Sequence, residues 1–448
     1  MSMHKGRIGY ILAAVIAMLL SGVVSHAQSG AGNGFSPYSI YGIGDLYTNG
    51  SAYNMTQGGV GIATRDRRFV NYLNPASVTA RDSLSFMADF GMANRNSIFR
   101  QKPAAGGNFR SANNLFNISD FVISFPIWRS SAMMVGIKPF SSAGYKFAFQ
   151  ESDPDIIGRI GNSTTSSEGN GGVYELFVGG GVTFWKRLSI GAQYSFYLGN
   201  IDKNVTTSFD QEKMRDVSSG YAIQLRGHTG KFGIQYDQPL TKKVTMTIGA
   251  TYRLRTNVRG YAKHFSFANS SSLVDTVFCD TLKLRDMGIK MAGEWGVGLS
   301  FRGSDQWSAE VNYVQSDWRK SNFDADKTNG FAVSGVADFQ SSVYRSVRAG
   351  FSFTPNRNDI RYYMRRVTYR AGLYYEQSYY TWAGQRVDGY GLTLGATFPV
   401  FRGYNGITVG MDIGKRGKLA DDMVREMYVG FNIGFNIFDI WFQKHHYE

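Results

Sequence analysis

Cysteine and histidine are both scarce in this chain of 448 residues. Cys279 is the only cysteine, which excludes an intramolecular disulfide framework. The six histidines form no His-x-x-x-His pair and join no cysteine cluster that could bind a metal ion. His228 beside Thr229 is the nearest approach to a catalytic arrangement, and it is a weak one. We therefore predict no metal site, no cofactor and no catalytic residues.

Long apolar runs are also absent after the N-terminus, so no later segment approaches the roughly 18 apolar residues of a transmembrane helix. Residues 8–24 are apolar, follow Lys5 and Arg7, and precede the small-residue site Ser25-His26-Ala27. This pattern predicts a cleaved secretion signal over residues 1–27, with a short membrane anchor as the alternative. An exported chain without such helices can cross a bilayer only as a closed β-barrel.

What the chain does contain is glycine, with 53 residues, and aromatic residues at 15%. These residues follow a two-residue period. One face of residues 427–437 reads Met, Val, Phe, Ile, Phe, Ile, and the other face reads Tyr, Gly, Asn, Gly, Asn. Residues 188–198 and 244–254 repeat the pattern. Strands that are apolar outside and polar or small inside are typical of outer-membrane barrels.

About 14 such segments follow residue 82, and short connections alternate with long ones. We therefore predict an all-β protein, a transmembrane antiparallel β-barrel of about 14 strands in the outer membrane of a Gram-negative cell. The predicted barrel spans residues 83–438. Residues 150–172 and 261–289 are expected to be long outer loops, and residues 439–448 a periplasmic tail.

Residues 28–82 precede the first predicted strand and cannot cross the membrane themselves. Their glycines would let the backbone pass close to barrel walls, and Asn74-Pro75 fixes an extended or turn conformation. The apolar cluster around Phe69 and Tyr72 needs burial, which a disordered periplasmic tail would not provide. We therefore predict a plug inside the barrel, with the disordered tail as the alternative.

The segment also resembles the hatch of FadL-like outer-membrane transporters of hydrophobic compounds. Its Gly-rich stretch leads through an Asp to Asn-Pro-Ala just before the first strand, as in that family. The matching residues are Gly59, Gly61, Ala63, Asp66, Asn74, Pro75 and Ala76. The resemblance implies a barrel of 14 strands, in agreement with the number counted above.

Pro139 is the one proline inside a predicted strand, the third, where it removes a ladder donor. Phe140, Ser141, Ser142 and Gly144 follow it, and the small residues among them would permit a bend. The strand could also simply end there above the membrane. The resemblance favours a kink, because FadL-like proteins have an inward kink in strand three that opens a lateral exit into the membrane.

The net charge of +14 favours contact with phosphates of outer-membrane lipid and lipopolysaccharide. A narrower hypothesis is that Arg65, Arg67 and Arg68 in the plug, or Arg253 and Arg255 in the lumen, pair with an anionic headgroup of a ligand. Nucleic acid is not an expected partner of an exported barrel.

The first functional hypothesis is passive uptake of a hydrophobic small molecule, fatty-acid-like or aromatic, with lateral exit through the third strand. The alternative is a non-transporting FadL-like barrel that acts as a subunit or shuttle in outer-membrane protein secretion or assembly, with other outer-membrane proteins as partners. An outer-membrane enzyme is the least supported class.

Overall fold

The computed structural model describes residues 35–440, apart from 49, 82–84, 103–107, 129, 152, 212–213, 270–273, 305, 324–338, 402–404 and 421–422. The predicted signal peptide and residues 441–448 of the predicted tail lie outside these residues. Within them, the chain forms a closed antiparallel β-barrel of 14 strands, which confirms the predicted fold.

Several of the 14 barrel strands are broken into two consecutive segments, so the structure has more than 14 described strand segments. They are β1 (Asp45–Leu46), β2 (Ser85–Gln101), β3 (Phe109–Trp128), β4 (Ser131–Ser142), β5 (Tyr145–Gln150), β6 (Ser163–Phe184), β7 (Leu188–Phe209), β8 (Asp216–Pro239), β9 (Val244–Arg253), β10 (Thr256–Asn257), β11 (Arg259–Asn269), β12 (Val274–Lys283), β13 (Lys290–Met291), β14 (Glu294–Gly303), β15 (Trp307–Asp317), β16 (Phe339–Ser341), β17 (Val343–Phe353), β18 (Thr368–Trp382), β19 (Gln385–Phe401), β20 (Asn405–Arg416) and β21 (Arg425–Ile440). The described helices are α1 (Ala52–Met55), α2 (Pro154–Ile160) and the 3₁₀ turns η1 (Pro37–Ile40), η2 (Pro75–Thr79) and η3 (Tyr363–Arg365).

Closure of the barrel depends on β2 and β21, which pair from Ser85 opposite Ile440 to Arg100 opposite Arg425. Around the ring, β9 and β11 both pair with β8, one at each end of that long strand.

The short connections lie at one end of the barrel, called here the short-turn end, and the longer ones lie at the other, called the long-connection end. No described helix is long and apolar enough to span a bilayer.

The two-residue alternation of the sequence explains which side chains of the barrel wall face outward and which face the lumen. On β8, Phe232, Ile234 and Tyr236 point outward and are 40–49% exposed, whereas the interleaved Gln235 is fully buried. Outward apolar side chains face the hydrocarbon, and inward small or polar ones face the lumen.

The long connections were predicted to be longer than they are. Strand β6 begins at Ser163 inside the predicted loop 150–172, helix α2 occupies part of the rest, and the predicted loop 261–289 contains most of the hairpin β11–β12. Strand β21 continues to Ile440, two residues past the predicted barrel boundary. The strand extensions at the long-connection end are rich in Ser, Thr and Gly, so an apolar alternation does not reveal them, although their backbone ladders form equally well.

Candidate functional site

Residues 35–81 are enclosed by the barrel wall. A Cβ atom added to Gly191, Gly249 or Gly372 would lie less than 3.0 Å from backbone atoms of this segment, which no side chain allows. The same segment is the nearest neighbour of glycines on nine strands around the ring: Gly191, Gly233, Gly249, Gly296, Gly350, Gly372, Gly395, Gly410 and Gly434. A segment that contacts so many walls of a closed ring lies within it, and glycine is what makes room for its backbone.

Asn74 is completely buried, and its side chain forms hydrogen bonds both within the segment and with the wall. Its side-chain oxygen accepts a hydrogen bond from Ala76 N at 3.0 Å, which caps the turn η2 that begins at Pro75. Its Nδ2 donates to Ile62 O at 2.7 Å. The Asn-Pro-Ala motif thus folds the segment back on itself, and Asn74 holds two of its passes together.

The remaining motif residues also lie in this fold. Gly59 has a φ of 76°, a backbone conformation that favours glycine. Gly61 lies against Asn54 and Leu73, where a Cβ would clash. Ala63 N donates to Glu310 Oε1 of β15 at 2.9 Å, and Asp66 accepts from Arg68 Nε at 2.6 Å.

The five arginines considered for an anionic headgroup do not form one site. Arg65 lies near the short-turn end, 3.1 Å from Asp237, and also donates to Ser189. Arg68 pairs with Asp66. Arg253 pairs with Glu294 at an N–O distance of 3.2 Å, nearer to the long-connection end of the lumen. These three guanidinium groups already have carboxylate partners. Arg67 and Arg255 are exposed at separate places.

The lumen is closed toward the long-connection end by an aromatic cluster, called here the outer cluster: Tyr41, Trp318, Phe323, Phe339, Tyr379 and Tyr380. All six side chains are buried. Tyr379 Oη donates to Gly44 O at 2.7 Å. Lys203 Nζ, also fully buried, donates to Ile40 O and Gly42 O at 2.7 and 2.8 Å. Residues 40–44 are therefore tied to the wall beneath this cluster.

The wall itself is interrupted between β3 and β4. Their ladder ends where Phe121 lies opposite Ile137. On the long-connection side of that point, residues 109–120 of β3 form a β-ladder with β2, and the ladder with β4 does not extend to them. Strand β4 instead pairs with β1 of the enclosed segment, Asp45 opposite Ser142 and Leu46 opposite Ser141. Because β1 lies inside the lumen, β4 leans inward and leaves a gap beside β3.

The residues predicted for a lateral opening line this inward bend. Pro139 lies within β4, and the register against β6 shifts between Pro139 and Ser141. Phe140 is buried, and Gly144 O accepts hydrogen bonds from Ser36 N and Ser39 Oγ, both at 2.8 Å. The strand does not end at Pro139, since β4 continues to Ser142 and β5 follows.

A cavity of about 170 Å³ lies behind the gap and reaches from β3 to the far wall. Asn117, Ser119, Lys138 and Pro139 line it beside the gap. Its other walls carry charged side chains in ion pairs: Arg95 with Glu426 at 2.8 Å, Arg416 with Asp45 at 2.8 Å and with Glu426 at 3.0 Å, and Arg348 with Glu376 at 3.2 Å. Tyr374 Oη donates to Asp412 at 2.8 Å.

Sequence reasoning missed this charged lining. Arg95, Asp412 and Glu426 are at inward positions of predicted strands or their extensions, where a barrel with a simple polar lumen needs no charge. An inward carboxylate or guanidinium among glycines was the signal that could have identified them. Within the described part of the chain, no group of His, Cys, Asp and Glu residues could hold a metal ion.

The fold of the barrel is that of the FadL-like barrels, as predicted. The chain is similar in structure to the Pseudomonas putida toluene transporter TodX, with a TM-score of 0.58 and 13% identity over 89% of this chain and 100% of that one. The monoaromatic hydrocarbon channel CymD gives a TM-score of 0.57 and 15% identity over 89% and 99%. A Pseudomonas aeruginosa FadL homologue gives 0.52 and 9% over 88% and 99%.

The sequence model of the BamG family matches residues 9–448, so the chain belongs to the BamG family. No curated protein sequence matches it. At these low identities, the likeness to the hydrocarbon channels establishes the fold. Of these neighbours, CymD is described as a channel and TodX as a transporter.

Proposed function

We propose that this barrel is a non-transporting partner, a subunit of an outer-membrane complex that secretes or assembles other outer-membrane proteins. The observation that carries the proposal is the lumen, which is filled by residues 35–81 and whose central cavity is lined by ion pairs. A barrel filled in this way serves better as a rigid scaffold than as a path for apolar solutes.

The lining of the cavity argues against an apolar ligand more strongly than its volume does. An apolar cavity of about 150 Å³ can hold benzene when aliphatic and aromatic side chains line it. Here a similar volume is lined partly by apolar residues such as Leu46 and Met55 and partly by the charged side chains of Arg95, Glu426 and Asp412. An apolar solute would displace water from these groups without replacing its hydrogen bonds, which costs free energy.

The long-connection end offers surfaces for a partner. Strand β12 pairs with β11 along one edge, and no described residue pairs with its other edge. Val274 and Val277 on this strand are 66% and 67% exposed. An unpaired strand edge with apolar side chains can accept a strand of another protein.

Purification from the native outer membrane in mild detergent tests the proposal. We expect another outer-membrane barrel to co-purify in stoichiometric amount with the wild type. Val277→Lys should lose it, because an edge lysine opposes strand addition. Ile360→Lys, at an even more exposed aliphatic residue of the short-turn end, is the matched control and should retain it. A wild-type barrel that purifies alone, or a Val277→Lys variant with its partner intact, would contradict the proposal.

The gap between β3 and β4 favours a second candidate, passive uptake of a hydrophobic small molecule with lateral exit. The similar fold of the toluene transporter TodX points the same way. Pro139→Val combined with Gly144→Thr should restore a donor and β-branched bulk to this wall and close the exit. In this case uptake should fall sharply while folding and ligand binding persist, and full uptake by a folded double variant would exclude the side exit.

A further inference from the structure

A basic concavity lies on the outside of the barrel, far from the lumen and the gap. Its volume is about 510 Å³, and it lies where β8 meets β11. Four of its lining residues, called here the basic patch, are Arg226, Arg259, Lys283 and Arg285. All four are exposed, and His228 lines the same concavity.

The positive charges of the basic patch have no bonded partner in the described part of the chain. Among the described residues, none of the four side chains takes part in a salt bridge or a hydrogen bond. Arg259 lies directly opposite Arg226 in the β8–β11 ladder. Directly opposed side chains have Cβ atoms about 5 Å apart, and like charges at this distance destabilise a sheet. An anion between the two guanidinium groups would turn that repulsion into attraction.

The height of the patch on the barrel indicates where such an anion comes from. The outward face of β8 runs from Tyr236 through Phe232 to His228 and Arg226. The ten residue-to-residue steps from Tyr236 to Arg226 span about 33 Å along the strand at about 3.3 Å per step. With the usual strand tilt this is a height of about 25 Å, the height of the apolar band of an outer-membrane barrel. The patch therefore lies at the membrane boundary of the long-connection end.

Aromatic side chains complete the site. Tyr261 lies opposite Lys283 in the neighbouring ladder and is 52% exposed, and Phe196 lines the lower part of the concavity. Tyrosines at this level form the interfacial belt of membrane barrels. A ligand held here would place its anionic group against the guanidinium groups and its apolar part along Phe196 and the wall below.

We propose that the basic patch binds phosphate groups of lipopolysaccharide in the outer leaflet. Guanidinium groups bind phosphate through paired hydrogen bonds, and two opposed arginines can hold one phosphate from both sides. Lipid acyl chains would then run down the apolar wall from Phe196 toward Phe232. The site shares only Lys283 with strand β12, at the opposite end of that strand from Val274 and Val277 of the proposed partner surface, and it requires that the long-connection end faces the cell exterior.

Native mass spectrometry of the detergent-solubilised full-length protein with added diphosphoryl lipid A tests this proposal. The wild type should bind one lipid A molecule, and binding should fall about tenfold or more when all four residues of the patch are changed to Gln, since each charge-assisted hydrogen bond is a strong one. Lipid A with both phosphates removed should bind the wild type as weakly as diphosphoryl lipid A binds the quadruple variant.

The matched control removes four positive charges at the short-turn end: Arg187→Gln, Lys242→Gln, Lys243→Gln and Arg361→Gln. Its lipid A binding should equal that of the wild type. Heat-modifiability on gels verifies that each variant is folded, and the single variants Arg226→Gln and Arg259→Gln replace the quadruple variant if it does not fold. Equal lipid binding by the wild type and the patch variants, or equal binding of dephosphorylated lipid, would overturn the proposal. So would loss of a bound acidic protein from the patch variants with lipid binding unchanged.

Discussion

Substitution of Asn74 by Ala should loosen the enclosed segment without opening the barrel wall. The variant loses the cap on η2 and leaves the buried N–H of Ala76 without its acceptor. It also loses the bond from Nδ2 to Ile62 O, although that carbonyl keeps a second donor, Gln235 Nε2, at 2.8 Å. One lost cap and one lost buried hydrogen bond together cost about 2–3 kcal/mol.

This cost falls mainly on the local stability of residues 35–81, because the contacts of Asn74 Nδ2 with the wall, to Ile234 O and Ala250 O, are long at 3.3 and 3.5 Å. A loss of about 2 kcal/mol raises the population of an open segment about 30-fold. Tryptic cleavage after Arg65 and Arg68, whose side chains are bound within the folded lumen, should accelerate by a similar factor. Limited proteolysis of the detergent-solubilised protein, followed by mass spectrometry, measures this rate.

Asn358→Ala is the control, because Asn358 is exposed in a short-turn loop and its side chain forms no hydrogen bond with another described residue. It should be cleaved at the wild-type rate. If Asn74→Ala is also cleaved at the wild-type rate, then Asn74 does not hold the enclosed segment together as argued here.

Three further predictions concern orientation, the enclosed segment and pH. The exposed Cys279 on β12 should react with a membrane-impermeant thiol reagent in intact cells, and reaction only after outer-membrane rupture would reverse the orientation. Deletion of residues 35–75 should raise single-channel conductance in planar bilayers and lower the temperature of the gel-mobility shift; unchanged values would mean that the segment does not fill the lumen. Burial lowers the pKa of Lys203 from 10.5 to about 7, so the unfolded state binds more protons between these two pH values and the contribution of Lys203 to stability rises with pH. Unfolding measured from pH 7 to pH 10 should therefore show a stability gain in the wild type relative to Lys203→Met, and parallel curves would contradict it.

The sequence predicts the barrel well because its strongest signal is local. Each span such as 427–437 carries its own two-residue period, and a ladder requires only that neighbouring spans do the same. The extensions such as Ser163–Gly172 escape detection because they stand in water, where neither face needs apolar side chains. Their pairing with β7 becomes visible only in the register of the folded sheet.

The residues of the candidate site also fall into two groups, those that the sequence reveals and those whose roles depend on distant partners. Asn74-Pro75 and Pro139 act through their own backbone geometry, so the sequence reveals them as special positions. The roles of Arg65 and Arg253 depend on partners far along the chain, Asp237 and Glu294, which only the closed barrel brings near. For this reason a guanidinium in the lumen could be predicted, whereas its neutralisation by a carboxylate could not.

Uptake of an apolar solute by purified protein in liposomes tests the central claim most directly. Radiolabelled toluene and a long-chain fatty acid would be offered to proteoliposomes, with a monoaromatic hydrocarbon channel as the positive control and empty liposomes as the baseline. A lumen filled by residues 35–81 and lined by ion pairs predicts uptake at the baseline for both solutes. Uptake approaching that of the control channel would contradict the partner-barrel account and favour lateral transport through the gap beside β3.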